Sequence, residues 1–314
     1  MTSIEMSFRQ STRVVGIVLS FLSGCSGERA PTPVDSAAVT PGPAAPVVAP
    51  AINPGWNAAA GPVLILPPAE GSTAAPVILP EVTDSILAAS TSFSLDSLIS
   101  IPVELFNRQG KVGESTLGAM VQRTATDLCP SWPQVSLAGK LPVAWKVGFV
   151  KGRMTGIPLD SLERMSVSDS AAVTQEIVRL ASQLPGTSDP VFQGLPFSVP
   201  RVFRFVIGPT SVLVANVIRK INQEANPLEE HVLLIAERRG GLAGAYRQVF
   251  HSRATGLEDV VQTNEVLAGF QIVETGRSEV AINMEREDGG RIAMLERGGA
   301  GEWKIRWRSA YAGC

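Results

Sequence analysis

Proline is spread so unevenly along this 314-residue chain that it divides the chain in two. Residues 30–80 hold 12 of the 23 Pro together with 13 Ala, and their only charged side chains are Asp35 and Glu70. Such a stretch buries too little apolar surface to offset the entropy of ordering it, and proline draws it toward the extended polyproline-II form. The composition predicts a semi-stiff spacer without fixed structure over 26–80 and a globular region over 81–314. Within the spacer one pattern recurs: Pro46-Val-Val-Ala-Pro50, Pro62-Val-Leu-Ile-Leu-Pro67 and Pro76-Val-Ile-Leu-Pro80. Short apolar β-formers of this kind can add a strand to an open sheet edge, in this molecule or in a partner. Low-complexity drift yields the same pattern without that consequence.

Ahead of the spacer, Arg9 and Arg13 precede an apolar run of nine residues, Val14 to Leu22. The run is far short of the roughly 20 residues that span a bilayer, and it suits the apolar region of a secretory signal peptide. Leu22-Ser23-Gly24-Cys25 follows. This resembles the lipobox of bacterial lipoproteins. The resemblance implies that residues 1–24 are a signal peptide cleaved before Cys25, that the Cys25 thiol carries a diacylglycerol, and that the new amino group is acylated with a palmitate-like chain. Small residues at Ser23 and Gly24 leave the peptidase room to approach. Ser26, standing where an aspartate would retain the protein at the inner membrane, points to the outer membrane of a cell that has two. Glu5 is out of place in a positive leader, and a start at Met6 would remove it. Two or three acyl chains hold a protein to a bilayer durably, where one is marginal.

The globular region reads as α+β, a predominantly antiparallel β meander with one clear helix at about 169–184. Val173, Ile177, Leu180 and Leu184 share a helical face, Ser168 or Asp169 supplies an N-cap, and Pro185-Gly186 stops the helix. Residues 83–100 leave room for a second short helix. Strands are expected at 103–106 and 117–122 around a turn-rich 108–115, and at 143–150. Eight more are expected at about 201–207, 212–221, 231–238, 246–252, 265–273, 279–286, 291–297 and 303–309. Asp288-Gly289 signals a tight hairpin. Strict alternation would set Trp303, Ile305 and Trp307 on one face and Lys304, Arg306 and Arg308 on the other. The length allows one large domain or two subdomains, 81–200 and 201–314.

An internal repeat runs through this meander. Glu237 to Ser252 matches Glu296 to Ser309 after two one-residue gaps, pairing Tyr246 with Trp303, Arg247 with Lys304, Phe250 with Trp307 and Ser252 with Ser309. An aromatic, a cation and an aromatic four residues on would set both rings on one strand face. The stretch Glu265 to Ser309 resembles the blades of FG-GAP-type propeller repeats. Those carry an Asp-rich calcium turn after their first strand, whereas Glu274-Thr-Gly-Arg-Ser-Glu279 has no Asp. The resemblance therefore implies no calcium site, and the chain holds too few strands for a whole propeller.

The charge balance, 27 basic against 29 acidic side chains, argues against a nucleic-acid binder. No serine-nucleophile elbow, metalloprotease helix, Cys-x-x-Cys pair, phosphate loop or dinucleotide fingerprint is present, so no catalytic residue, metal site or cofactor is assigned. His231 and His251 read as structural. Glu285, Glu287 and Asp288 read as a solvated turn, with a loose cation site as the alternative. Arg291, Lys304, Arg306 and Arg308 form a candidate basic face for an anionic polymer or lipid headgroup, unless cross-strand glutamates neutralise it. Cys129 and Cys314 are the even pair left once Cys25 is lipidated, and an oxidising compartment would join them in a disulfide. The expected function is a non-enzymatic binding or assembly module of the cell envelope. Its partners would be the bilayer, through Cys25, and a protein or anionic envelope polymer. An envelope hydrolase or small-ligand carrier is the alternative.

Overall fold

The first two strands come from the stretch whose composition predicts a spacer. The computed structural model describes residues 55–70, 72–121, 129–185, 189–221, 225–240 and 244–314; Cys25 and the apolar run before it lie outside the described residues. Leu64–Ile65 form β1 and Ala74–Ile78 form β2, and Val63, Leu64, Ile65, Val77 and Ile78 are wholly buried. The boundary expected at residue 80 is thus corrected: residues 55–80 belong to the folded body. Average composition hid a local pattern. Between the prolines these segments are as apolar as any core strand. Pro62, Pro67 and Pro80 fall outside the strands, where no ladder N–H is needed, and Pro76 supplies its carbonyl to Leu66 N. The third segment of that pattern, 46–50, lies outside the described residues.

β1 and β2 close a six-stranded antiparallel barrel with β3 (Pro102–Asn107), β4 (Gly110–Val121), β5 (Gln134–Leu137) and β6 (Val147–Val150). The order around the barrel is β1-β2-β5-β4-β3-β6. The short helix suspected over 83–100 is α1 (Asp84–Ala89), capped by Thr83 Oγ1 accepting from Ile86 N. The turn expected over 108–115 shrinks to Arg108-Gln109. β4 runs on through polar residues: Lys111 Nζ reaches Glu104 across the ladder (2.5 Å) and Glu114 on its own strand (2.6 Å).

After the barrel come β7 (Met154–Ile157), β8 (Asp160–Ser161) and α2 (Val167–Ser182). α2 starts two residues before the predicted helix because Ser166, not Ser168 or Asp169, caps it, its hydroxyl accepting from Asp169 N at 3.1 Å. Two four-stranded meanders follow. The first is β9 (Ser198–Ile207), β10 (Thr210–Ile221), β11 (Leu228–Arg239) and β12 (Arg247–Leu257). The second is β13 (Thr263–Ile272), β14 (Ser278–Arg286), β15 (Gly289–Arg297) and β16 (Trp303–Arg308), with β17 (Ala312–Gly313) added beside β15. The division into 81–200 and 201–314 is not observed. β7 extends the second meander by pairing with β13, and β8 extends the first by pairing with β9. Gly110 and Gly156 let β4 of the barrel and β7 approach closely: a β-carbon on Gly156 would sit 2.7 Å from Gly110 Cα.

The layers stack in one sense. α2 buries Val173, Ile177 and Leu180 on the outer face of the first meander, against Leu213, Ala215, Val232 and Leu234. The inner face of that meander, with Phe203, Phe205, Val214 and Leu233, packs on Val280, Ile282, Leu295 and Trp303 of the second. The far face of the second meander covers the barrel, where Phe270 meets Phe149 at 4.9 Å between ring centroids.

The sequence repeat is a repeat of register as well. Glu237 stands opposite Arg247 and Ile235 opposite Phe250, with one extra residue between; Glu296 stands opposite Lys304 and Met294 opposite Trp307, with the same extra residue. That β-bulge overturns the expected alternation, because one inserted residue turns the rest of the strand over. Trp303 packs edge-on to Phe205 inside the sandwich, while Trp307 lies on the barrel side, 4.6 Å from Trp56. The first unit also locks the second. Glu237, almost fully buried, accepts from Arg297 Nε (2.6 Å), Arg297 Nη2 (2.9 Å) and Trp303 Nε1 (2.7 Å). Among the described residues its counterpart Glu296 accepts from the Arg277 guanidinium (3.0 Å), and its Oε2 is buried without a hydrogen bond.

That incomplete copy sets up a pH effect. Glu279 stands directly opposite Glu296. Burial, reinforced by the Glu296 charge and offset in part by Arg277 and Arg306, pushes its carboxyl from 4.5 up to about 8. The folded chain then keeps a proton that the unfolded chain has released, so stability falls as pH rises from about 4.5 to 8. Glu279→Gln should remove that slope and stabilise the protein at pH 9 by on the order of 3 kcal/mol. Urea melts of both proteins at pH 5 and pH 9 measure it. Parallel pH profiles for the two would mean that Glu279 is ionised in the folded state.

Candidate functional site

The bulge also divides the expected basic face. Lys304 stands opposite Glu296 on the barrel side, and Arg306 acts on Glu279 from that side. Those two cations thus lie on the side of the cross-strand glutamates Glu279 and Glu296. Arg308 comes out on the other face, opposite Ala293. Arg291, opposite Met284, shares it, and so does Arg286, two residues along from Met284. The face that carries Ile282, Met284, Ala293 and Leu295 in the sandwich core thus ends in three arginines. Arg286 is absent from the sequence-level face; its two-residue offset from Met284 on an alternating strand was the available signal.

These three side chains line a cleft of about 520 Å³ with Ser252, Gln262, Met284 and Tyr311. The wall facing them is the edge strand β12 and the connection that follows it. Arg253 borders the cleft too, but its guanidinium turns to Glu230 on the outer face of the meander, at 3.5 Å. No carboxylate is among the lining residues. The acids that touch this wall hold it from behind. Asp84 Oδ2 takes Arg291 at 3.3 Å while Asp84 Oδ1 accepts from Tyr311 N at 2.7 Å. Asp288 accepts from the Tyr311 hydroxyl, and the Arg291 guanidinium lies 5.4 Å from the centre of the Tyr311 ring. Asp288 is thus drawn into the wall rather than left in a free turn, and Glu285 accepts from Asn283. Among the described residues no cluster of three His, Cys, Asp or Glu is placed to hold a metal.

On the other side of the connection a second cleft of about 410 Å³ is lined by Arg201, Asn216, His231, Asn264 and Glu265. Arg201, Asn216 and His231 lie on the sandwich-facing side of their strands. His231 Nε2 is 2.6 Å from Glu229 Oε2, and Asn216 Nδ2 donates to Asn264 O at 2.7 Å. Asn264 Oδ1 is buried with no hydrogen-bond partner among the described residues. His251 is engaged by Gln248 at 3.2 Å, away from Ser252, and burial lowers its pKa.

Cys129 and Cys314 form a disulfide with Cα atoms 5.1 Å apart. It fixes the end of the segment that carries Tyr311. Gly313 N donates to Pro130 O (2.9 Å) and Cys314 N to Asp288 O (2.7 Å). Among the described residues no helix is long and apolar enough to cross a membrane. Comparison with protein families, with curated proteins and with solved structures finds no match.

Proposed function

We propose that this chain is a lipoprotein of the cell envelope, anchored through Cys25, whose folded body is a non-enzymatic module that binds a polar ligand at the mouth of its sandwich. The observation that carries the reading is the composition of that mouth. Where the two meanders end, the apolar core gives way on one side to Arg286, Arg291 and Arg308 and on the other to Arg201, Asn216, His231 and Asn264. A concave site with a few convergent polar groups is what a binding site needs. The Leu-Ser-Gly-Cys25 motif after a short apolar run supports the anchor.

The test uses the full chain in intact cells. A photo-crosslinking residue at position 262, in the mouth, should capture an envelope component. The same residue at position 143, which is 92 % exposed and lines neither cleft, should not. A fatty-acid label should appear on the wild type and vanish in Cys25→Ser. Equal capture from both positions, or a labelled Cys25→Ser chain, would overturn the corresponding half of the proposal.

A further inference from the structure

We infer that the cleft lined by Asn216, His231 and Asn264 is a site for a neutral sugar, which rests on the reading of the sandwich mouth as a binding site and names the ligand chemistry of the side away from the three arginines. Asn264 stands opposite Met284 on the β13–β14 ladder, and Val266, two residues on, stands opposite Ile282. Both of those partners belong to the sandwich core. Asn264 therefore points between the sheets, as Asn216 of β10 and His231 of β11 do, and all three line the cleft of about 410 Å³. Asn264 Oδ1 is buried, yet no described residue donates to it. A buried acceptor without a donor costs stability, so a ligand that supplies one gains more there than at an exposed group.

The neighbours of that atom say what the ligand must bring. Asn216 gives its Nδ2 to Asn264 O at 2.7 Å, which leaves its Oδ1 to accept. His231 Nε2 lies 2.6 Å from Glu229 Oε2. An ionised carboxylate only accepts, so Nε2 carries the hydrogen and Nδ1 of the neutral ring is an acceptor. Arg108 and Lys146 both take Oε1 of Glu265, at 2.6 and 3.0 Å, and leave its Oε2. Against these acceptors the lining sets the Thr263 hydroxyl and the Arg201 guanidinium. The surplus is one of acceptors and not of charge, because two cations already hold Glu265 and Arg201 balances Glu285 in the lining.

Acceptors without net negative charge select hydroxyls over a cation or an anion. A peptide brings a carbonyl with each N–H and would set acceptor against acceptor. A sugar carries several hydroxyls on adjacent carbons, each able to donate to Asn264, Asn216 or His231 and to accept from Arg201. Pro200 and Val217 in the lining offer apolar surface to the C–H face of such a ring. The volume, about 410 Å³, lies in the range of small-molecule sites. A free sugar and the end of a neutral glycan share this chemistry.

The experiment uses the full lipidated protein in micelles of a sugar-free detergent. The methyl glycosides of glucose, galactose, mannose and N-acetylglucosamine are titrated at 20 mM and 200 mM salt, with binding read by saturation-transfer NMR. At least one is expected to bind, with the same affinity at both salt concentrations. Asn264→Leu, close in shape but without the acceptor, should weaken that binding roughly tenfold, the value of one hydrogen bond. Arg201→Ala, at an exposed position, should weaken it too, and carries the test if Asn264→Leu does not fold. Val206→Ser, 62 % exposed and outside the lining, should leave it unchanged. In the second arm the tetrasaccharide of the same sugar is titrated. Binding at least as tight as that of the single sugar assigns the site to the end of a glycan, and weaker binding assigns it to a free sugar. No binding by any of the four, an affinity that salt lowers, or one that neither variant changes overturns the inference. If position 262 still captures an envelope component in cells, such a failure removes the ligand class alone and leaves the module intact.

Discussion

A chain that starts at residue 81 will not fold to the native state, whereas one that starts at residue 55 will keep a single cooperative unfolding transition. The first truncation removes β1 and β2, which stand between β5 and β6 in the barrel. It deletes Val63, Leu64, Ile65, Val77 and Ile78, all wholly buried. Burying each such side chain is worth about 1.5–3 kcal/mol, so the group contributes on the order of 10 kcal/mol, comparable with the whole net stability of a domain. The gap would also leave β5 and β6 with unpaired edges, which invite aggregation. It would strip Trp56, the ring against Trp307, from the far face of the second meander. Urea melts and hydrogen exchange of the two truncations measure the difference. Equal midpoints would show that the barrel closes without its first two strands.

Cys314→Ser is expected to lower Tm by about 10 °C, the larger of the single-residue effects on stability. The bond closes a loop of 185 residues in sequence, for which the chain-entropy account allows about 5 kcal/mol. The native contacts at the chain end survive in part without the bond, since β17 still pairs with β15 and Ser309 N still donates to Ile292 O. A net loss of about 3–4 kcal/mol is therefore the expected outcome. Cys129→Ser should match it, and the double variant should add nothing. Scanning calorimetry with and without reductant reads this directly. A double variant less stable than either single one would show that the two thiols act separately, and a wild type indifferent to reductant would show that the bond does not form.

Much of the last 115 residues is legible in the sequence. The eight strands β9 to β16 are each expected from the sequence, most of them because they are alternating or largely apolar runs. The repeat between Glu237–Ser252 and Glu296–Ser309 was legible as well, and it proves to be a repeat of hairpin register. The first half was harder to read. β1 and β2 were concealed by proline, whose effect depends on whether it falls within a ladder or at its end. β5, β7 and β8 are two to four residues long, too short to show any period. The arginine cleft was half visible. Arg291 and Arg308 stood in the expected basic face, but Lys304 and Arg306 turned out to belong to the opposite side, and Arg286 was missing.

The sequence by itself determined what depends on near neighbours: the antiparallel meander, the amphipathic helix and the hairpin that Asp288-Gly289 signals. Tertiary structure alone decided what depends on which residues meet. One bulged residue in β16 sends Trp307 to the barrel and Trp303 to the sandwich, and with them separates Arg308 from Lys304. Alternation is a local rule, but the register that applies it is chosen by the partner strand, because only there does the ladder gain or lose a residue. The same holds for Glu279. Nothing in its flanking residues distinguishes it from a solvated glutamate; it is the burial of its strand, and Glu296 directly opposite, that keep its proton.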